Sequence, residues 1–260
     1  MAVAIVSPVH GTVVERLVAA GCVAAADEAE KLIGAAPDDN TLEAWIRRRE
    51  QGEPLAWIIG TMQFCGHTVR VDHGVYVPRP QSEELACRAA ALLPSEGVAV
   101  DLCTGSGAIA VHLRADVPTA TVIGVDVGMR EVACARRNGV SVLAGDLDQP
   151  LRPKAFDVVT AVAPYVPTGA LRLLPVDVQR YEPRLALDGG DDGLHLIRRI
   201  VVAAGRLLRP GGWLLIEVGS DQDQALSPVF AACGYYPATA WFDEDGDLRG
   251  LAAQAKRSGC

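Results

Sequence analysis

The sequence predicts an α/β fold, a mostly parallel, doubly wound sheet preceded by a small N-terminal helical domain and a hairpin linker. Two observations carry the sheet. From Pro80 onward, short apolar runs alternate with segments of helical periodicity, the pattern of a sheet whose crossovers are helices. One of these runs enters a helical segment through Asp101-Leu102-Cys103-Thr104-Gly105-Ser106-Gly107-Ala108, and ligands of open α/β sheets sit where strands end in this way. The third observation is that residues 12–50 show helical spacing only.

Along residues 12–50, Val13, Val14, Leu17 and Val18 group at helical spacing, followed by Ala-rich segments and by Leu42, Trp45 and Ile46. Pro37-Asp38-Asp39-Asn40-Thr41 reads as a turn with an N-cap for a helix ending in Arg47-Arg48-Arg49, where positive charge suits the helix dipole. From Ile58 to Val77 the period shortens. Phe64, Val69, Val71, Val75 and Val77, punctuated by Gly66, Asp72-His73-Gly74 and Pro78, predict a hairpin. The domain boundaries expected are therefore 1–57 for a helical unit that docks substrate, 58–79 for the hairpin linker, and 80–260 for the α/β domain.

In that domain, strands are expected at Val98–Cys103, Thr121–Asp126, Val140–Ala144, Phe156–Val162 and Trp213–Val218. Helices are expected at Ala108–Ala115, Met129–Asn138 and Leu194–Leu208, the last ending at Arg209-Pro210-Gly211-Gly212. Tyr235–Ala240 and Leu248–Ala253 would close the sheet as a final pair.

Composition narrows the function. A chain of 260 residues, half of them hydrophobic, can bury a sizeable core. A formal charge of −8 leaves no electrostatic footprint for nucleic acid. The seven cysteines, Cys22, Cys65, Cys87, Cys103, Cys134, Cys233 and Cys260, form no Cys-x-x-Cys pair, which suits reduced thiols better than a disulfide or zinc framework. No His, Cys, Asp and Glu set has metal-ligand spacing, so no metal is expected. No apolar run reaches membrane-spanning length, and the Ala-rich start at 1–9 lacks the flank and cleavage pattern of a signal peptide. A cytoplasmic protein without membrane contact is expected, from a GC-rich bacterial gene on the evidence of arginine far outnumbering lysine.

The glycine junction is the expected cofactor site. Its glycines allow close approach of backbone to ligand, and the helix that follows aims N–H groups there. A dinucleotide-binding loop is the rival, but it reads Gly-x-Gly-x-x-Gly and has no acidic residue just before it. Asp101 would oppose a diphosphate, whereas it can position the loop and face a cationic amino acid moiety. Asp126, followed by Val127, ends the second strand where it can accept both ribose hydroxyls, and Asp146-Leu147 can meet the adenine amine and cover its face. Together Asp101, Cys103, Thr104, Gly105, Ser106, Gly107, Asp126, Val127, Asp146 and Leu147 describe S-adenosylmethionine rather than NAD. The bland alternative, a turn that merely permits tight packing, does not account for the carboxylates at Asp126 and Asp146.

Further segments carry a family resemblance. Arg49-Glu50-Gln51-Gly52-Glu53-Pro54-Leu55, Phe64-Cys65-Gly66, Val75-Tyr76-Val77-Pro78-Arg79-Pro80, Ala135-Arg136-Arg137-Asn138, Tyr181-Glu182-Pro183, Ala186-Leu187-Asp188-Gly189-Gly190 and Asp243-x-x-Gly246-x-x-Arg249 follow one another in order. With the glycine junction, they make the chain resemble a short branch of the HemK/PrmC family of protein-(glutamine-N5) methyltransferases. The resemblance implies a class I, Rossmann-like S-adenosylmethionine-dependent methyltransferase, with cofactor held by Cys103 to Gly107, Asp126 and Leu147, and substrate met at Val162 to Tyr165.

That last corner departs from the family's Asn-Pro-Pro-Tyr. An amide nitrogen is a poor nucleophile because its lone pair is delocalised. A site helps by accepting both N–H hydrogens, one on a side-chain carboxamide and one on a backbone carbonyl, which aims the lone pair at the methyl donor. Val162 cannot accept through its side chain, and Ala163 replaces a rigid proline. Pro164 and Tyr165 still wall the site, and Val162 also borders the cofactor. The expected acceptor is thus protein glutamine or a retuned, small-molecule substrate. A decayed site that only binds the cofactor, a true release-factor methyltransferase and a nucleic-acid amino-methyltransferase are the alternatives, the last opposed by the acidic charge. The N-terminal helical part is also short for a release-factor-docking domain.

Other residues have plain roles in prospect. His67 and His73 are expected to be exposed in the hairpin, His112 to be structural, and His195 to start a helix. Arg79 is expected in an ion pair or at the ligand, Glu182 as a brace for the loop over the pocket, and Glu217 as loop support.

Overall fold

The computed structural model describes residues 8–219 and 221–257; Cys260 and most of the Ala-rich start lie outside them. Helices α1 (Pro8–Ala19), α2 (Ala25–Ala35), α3 (Asp39–Glu50) and α4 (Leu55–Ile59) come first. Asp38 caps α3 as expected, its carboxylate accepting the Thr41 N–H at 2.8 Å. Val13, Leu17, Leu32, Leu42, Ile46 and Ile58 bury one another in a cluster of their own. Arg16 is clamped by Glu43 and Glu50, and Arg49 pairs with Glu28.

The hairpin is narrower than 58–79. Strands β1 (Thr61–Phe64) and β2 (His67–Arg70) pair antiparallel around Cys65-Gly66. Both turn residues have positive φ, as a two-residue loop of matching twist requires. Residues 71–79 are irregular instead of extended because their apolar side chains turn toward α4. Val71 packs on Trp57, whose indole N–H donates to the Val75 carbonyl at 2.9 Å.

The remaining elements are α5 (Ser82–Leu92), β3 (Val98–Leu102), α6 (Ala108–Asp116), β4 (Thr121–Asp126), α7 (Met129–Arg137), β5 (Ser141–Ala144), β6 (Phe156–Ala161), α8 (Val176–Tyr181), α9 (His195–Leu207), β7 (Leu208–Glu217), α10 (Gln222–Ala232), β8 (Thr239–Phe242) and β9 (Leu248–Gln254). The strands form one sheet in the order β5-β4-β3-β6-β7-β9-β8. Pairing is parallel from β5 through β7, and β9 runs antiparallel to both its neighbours. This is the class I, Rossmann-like α/β arrangement.

Alternation along β3 splits the core between two faces. Val100 and Leu102 join Ile197, Val201 and Phe230 of α9 and α10, while Ala99 joins Leu85, Ile109 and Leu113 of α5 and α6. Strand order reverses between β3 and β6, so a crevice opens at their carboxyl ends. Sequence periodicity had not pointed to α4, α5, α8 or α10. It also placed the start of β7 at Trp213, whereas the strand begins at Leu208 and absorbs Gly211 at φ 86°. Similarly, β8 starts at Thr239, and Tyr235 forms only an isolated bridge to Ala255.

Candidate active site

A cavity of about 840 Å³ lies over the carboxyl ends of β3, β4 and β6. Thirteen of the fourteen site residues expected from the sequence line it: Asp101, Cys103, Thr104, Gly105, Ser106, Asp126, Val127, Asp146, Leu147, Val162, Ala163, Pro164 and Tyr165. Gly107 does not. It precedes α6 at φ 83°, and an added Cβ would stand 2.9 Å from Val140 Cγ2, so its task is close packing of loop on sheet.

The loop after β3 is built around Asp101. This carboxylate is 1% exposed and accepts the hydroxyls of Thr104 at 2.6 Å and Thr160 at 2.8 Å. Burial pushes its carboxyl up to about 6, against the two hydroxyls that hold it down. Thr104 fits because β4 has Gly124 opposite it; a Cβ there would meet Thr104 Cγ2 at 2.9 Å. Cys103 adopts φ 56° and Gly105 φ 57°, turning backbone toward the cavity. A Cβ on Gly105 would meet nothing within 4 Å.

Asp126 ends β4 with each carboxylate oxygen accepting one backbone N–H, from Gly105 and Gly128, both at 2.9 Å. Burial raises its carboxyl, and those N–H groups oppose the rise. Each oxygen keeps capacity for a ligand hydroxyl. Beyond β5, Leu147 is buried at φ 52°, and Asp146 pairs with Arg199 at 2.7 Å. The hydroxyl of Ser106 is buried and has no partner among the described residues. An open backbone face, a carboxylate with spare acceptor capacity and an unpartnered hydroxyl on one wall fit a polar, hydroxylated ligand such as S-adenosylmethionine.

The opposite wall holds Val162, Ala163, Pro164 and Tyr165. Val162 is half-buried against the core, and Ala163 is buried. The Tyr165 carbonyl accepts from Gln222 Nε2 at 3.0 Å. Burial, with Glu217 beside it, raises the Tyr165 hydroxyl above the usual tyrosine range. A strap from Val166 to Asp188 then folds across the opening, closed at its base by a Val166–Asp188 bridge. It brings Leu174, Pro175, Val178, Leu185 and Leu187 to the cavity.

Several lining residues escaped sequence reasoning. Phe64, Tyr76, Gln81 and Ser82 reach the cavity from the hairpin and its exit, beside Arg79, which was expected at an ion pair or at the ligand. Arg79 pairs with Glu182 at 2.5 Å and lies over the Tyr76 ring at 5.0 Å, so it is both ion-paired and at the cavity. Glu182 is the brace expected of it, although burial raises its carboxyl. Ser82 Oγ donates to buried Glu217 at 2.5 Å, tying α5 to β7. His195 starts α9 and lines the cavity, while His112 is buried. His73 is exposed as expected, its ring tilted against Trp57 at 4.7 Å, whereas His67 is half-buried, its ring 5.7 Å from that of His112. Asn138 stitches hairpin to loop: it donates to the carbonyls of Arg70 and Ser106, both at 2.8 Å, and accepts the Arg70 N–H at 2.9 Å. Its place in a motif was visible, but its partners lie far off in sequence.

A family model described as a methyltransferase domain matches residues 100–166, which include the glycine loop, Asp126 and the Val162–Tyr165 corner. The release factor glutamine methyltransferase of Geobacter sulfurreducens is 38% identical over 207 residues, 77% of this chain and 73% of that protein. The chain belongs to the HemK/PrmC methyltransferase family. It is an S-adenosylmethionine-dependent methyltransferase. A relative named 4-amino-L-phenylalanine/4-methylamino-L-phenylalanine methyltransferase, from Streptomyces pristinaespiralis, is 37% identical over 203 residues, 73% of this chain and 69% of that one. The solved ribosomal protein L11 methylase of Lactobacillus delbrueckii subsp. bulgaricus shares the fold, with a TM-score of 0.52 at 15% identity over 73% of this chain and 86% of that one.

Proposed function

We propose that this family member methylates a small molecule with an amine on an apolar body, rather than a protein glutamine. The observation that carries the reading is Val162, which lines the cavity where amide methylation calls for a side-chain acceptor. An amine keeps its lone pair localised and does not need the two-acceptor grip that an amide needs. The backbone carbonyls of Val162 and Ala163 remain to orient an amine N–H, between the walls of Pro164 and Tyr165. Leu174, Pro175, Val178 and Leu185 of the strap supply an apolar surface for the rest of the acceptor. The relative that by its name acts on 4-amino-L-phenylalanine is in keeping with this.

In the same reading, Asp126 takes the ribose hydroxyls of the cofactor, and Asp101 faces its amino group while holding the loop through Thr104. Asp146 meets the adenine amine, Leu147 and Val127 cover the ring, and Cys103 to Ser106 offer backbone. S-adenosylmethionine, when bound, supplies the electrophilic methyl. Helices α1 to α3, within the unit assigned to 1–57, serve acceptor docking, with 58–79 as linker and 80–260 as the cofactor-binding domain. The acidic surface charge favours neither nucleic acid nor anionic membrane as partner, and the protein acts in the cytoplasm of a bacterium.

Radiolabelled methyl transfer to a release-factor peptide carrying glutamine, and to a panel of aromatic and aliphatic amines, tests the proposal. The native protein should methylate an amine and leave the peptide untouched. Val162→Asn should raise peptide methylation on the order of 10²- to 10³-fold, the worth of one preorganised hydrogen-bonding group. Robust peptide methylation by native protein overturns the assignment. Cofactor binding with no transfer to any acceptor, native or variant, replaces it with a binding-only protein.

A further inference from the structure

Away from the cavity, the fold assembles a second group of chemistry-bearing side chains that sequence spacing did not announce. Cys65 sits at the tip of the hairpin, Cys87 on α5 and His112 on α6. One ligand atom from each lies within 4.8 Å of the other two. Among the described residues, this is the one grouping of that kind found. Spacing along the chain gave no sign of it, because three different elements contribute.

We propose that Cys65, Cys87 and His112 bind a single zinc ion that pins the hairpin to α5 and α6. The ligand chemistry favours zinc, since two thiolates and an imidazole suit a borderline-soft ion of tetrahedral preference. The three atoms stand close to the separations such a site demands. Two sulfurs each about 2.3 Å from one zinc lie about 3.8 Å apart, so modest side-chain rotation closes the set.

Two further observations point to a ligand. His112 is 8% exposed, yet its Nδ1 is buried with no partner among the described residues. Such an atom is costly to leave unsatisfied. The Cys65 thiol reaches the Glu83 carbonyl at 3.8 Å, a long contact, and has Cys87 beside it. His67, whose ring lies 5.7 Å from that of His112, or a water can complete four-coordination. Cys87 is exposed, which gives an ion an entry path.

Protons balance as follows. Zinc displaces a proton from each of the two thiols to solvent, and the neutral imidazole donates its lone pair. The two thiolates neutralise the charge of the ion, with Glu83 and Asp116 as the nearest acidic groups named beside the set. The consequence is structural, because the hairpin carries Phe64 to the active-site cavity.

The test uses full-length reduced protein stripped with a chelator and titrated with cobalt(II), then with zinc. One equivalent of cobalt should give thiolate charge-transfer and intense tetrahedral d–d absorption, both lost on adding zinc. Zinc should also raise the melting temperature and release protons. Cys87→Ser, at an exposed position, and His112→Gln should each weaken binding by more than the 10- to 100-fold typical of an outer-sphere partner, and zinc should no longer raise their melting temperatures. Cys233→Ser, just past the end of α10, should bind as the native chain does. A missing tetrahedral spectrum, an undiminished one in Cys87→Ser, or a reduced protein without zinc affinity that forms a Cys65–Cys87 disulfide in air would each overturn the proposal. None of these readouts depends on the methyl acceptor.

Discussion

Asp101 should make the protein less stable as pH rises from 4 to 7, opposite to the usual behaviour of a paired carboxylate. In the folded chain its carboxyl is buried and raised from 3.8 to about 6. The folded state therefore holds the proton more tightly than the unfolded state, and stability falls wherever the folded state binds more protons. Stabilisation from the proton is complete below pH 4 and disappears as pH passes 6. A shift of about two units corresponds to roughly 3 kcal/mol at about 1.4 kcal/mol per unit.

Asp101→Asn removes the titration while keeping the shape. Thr104 and Thr160 can each rotate a hydroxyl to suit the carboxamide, so the loop keeps most of its hydrogen bonding. The measurement is urea unfolding of native and variant chains, without added cofactor, at intervals from pH 4 to pH 7.5. Taking native minus variant cancels the carboxylates that do not interact with Asp101, and leaves its own titration with its coupling to Asp126. That difference should drop by roughly 2.5 kcal/mol over the interval, the remainder having been lost already by pH 4. A flat difference, or one that rises with pH, would refute the account of a carboxyl dominated by burial.

Three other outcomes follow from the contacts. Arg79→Met strands the Glu182 carboxylate, whose side chain is 2% exposed, and should cost about 3 kcal/mol in denaturant unfolding; adding Glu182→Gln should recover at least half of it. Asn138→Ala removes three hydrogen bonds between hairpin and cofactor loop and should cost about 2 kcal/mol, with a several-fold weaker S-adenosylmethionine affinity by calorimetry. Gly193→Ala places a Cβ 2.1 Å from the Tyr165 carbonyl at a backbone φ of 73°, and should depress methyl transfer far more than cofactor affinity, because Tyr165 must move.

The cofactor half of the site was legible because it is local. One strand, one turn and one helix start supply Asp101 to Ser106, and single strand ends supply Asp126 and Asp146, so spacing along the chain maps onto spacing in space. Gly107 shows the limit of that logic. Val140 and Ala135 packed behind it leave no room for a Cβ, a demand that a motif does not distinguish from a ligand's. The acceptor side was only half legible. Val162 was visible as an anomaly, but the strap wall of Leu174, Val178 and Leu185 had no periodicity to betray it. Arg79 could be assigned to ion pair or ligand only once Glu182 was seen beside it, 103 residues away.

By itself, then, the amino-acid sequence determined the alternating architecture, the strand-end carboxylates and the odd Val-Ala-Pro-Tyr corner, since each rests on residues adjacent in the chain. Only the tertiary structure decided which distant side chains share a space. It set Asn138 between Arg70 and Ser106, brought the strap to the cavity that Val162 lines, and gathered Cys65, Cys87 and His112 from three elements. The physical reason is that burial and parallel pairing act over long chain separations. The chemistry they create belongs to no single segment.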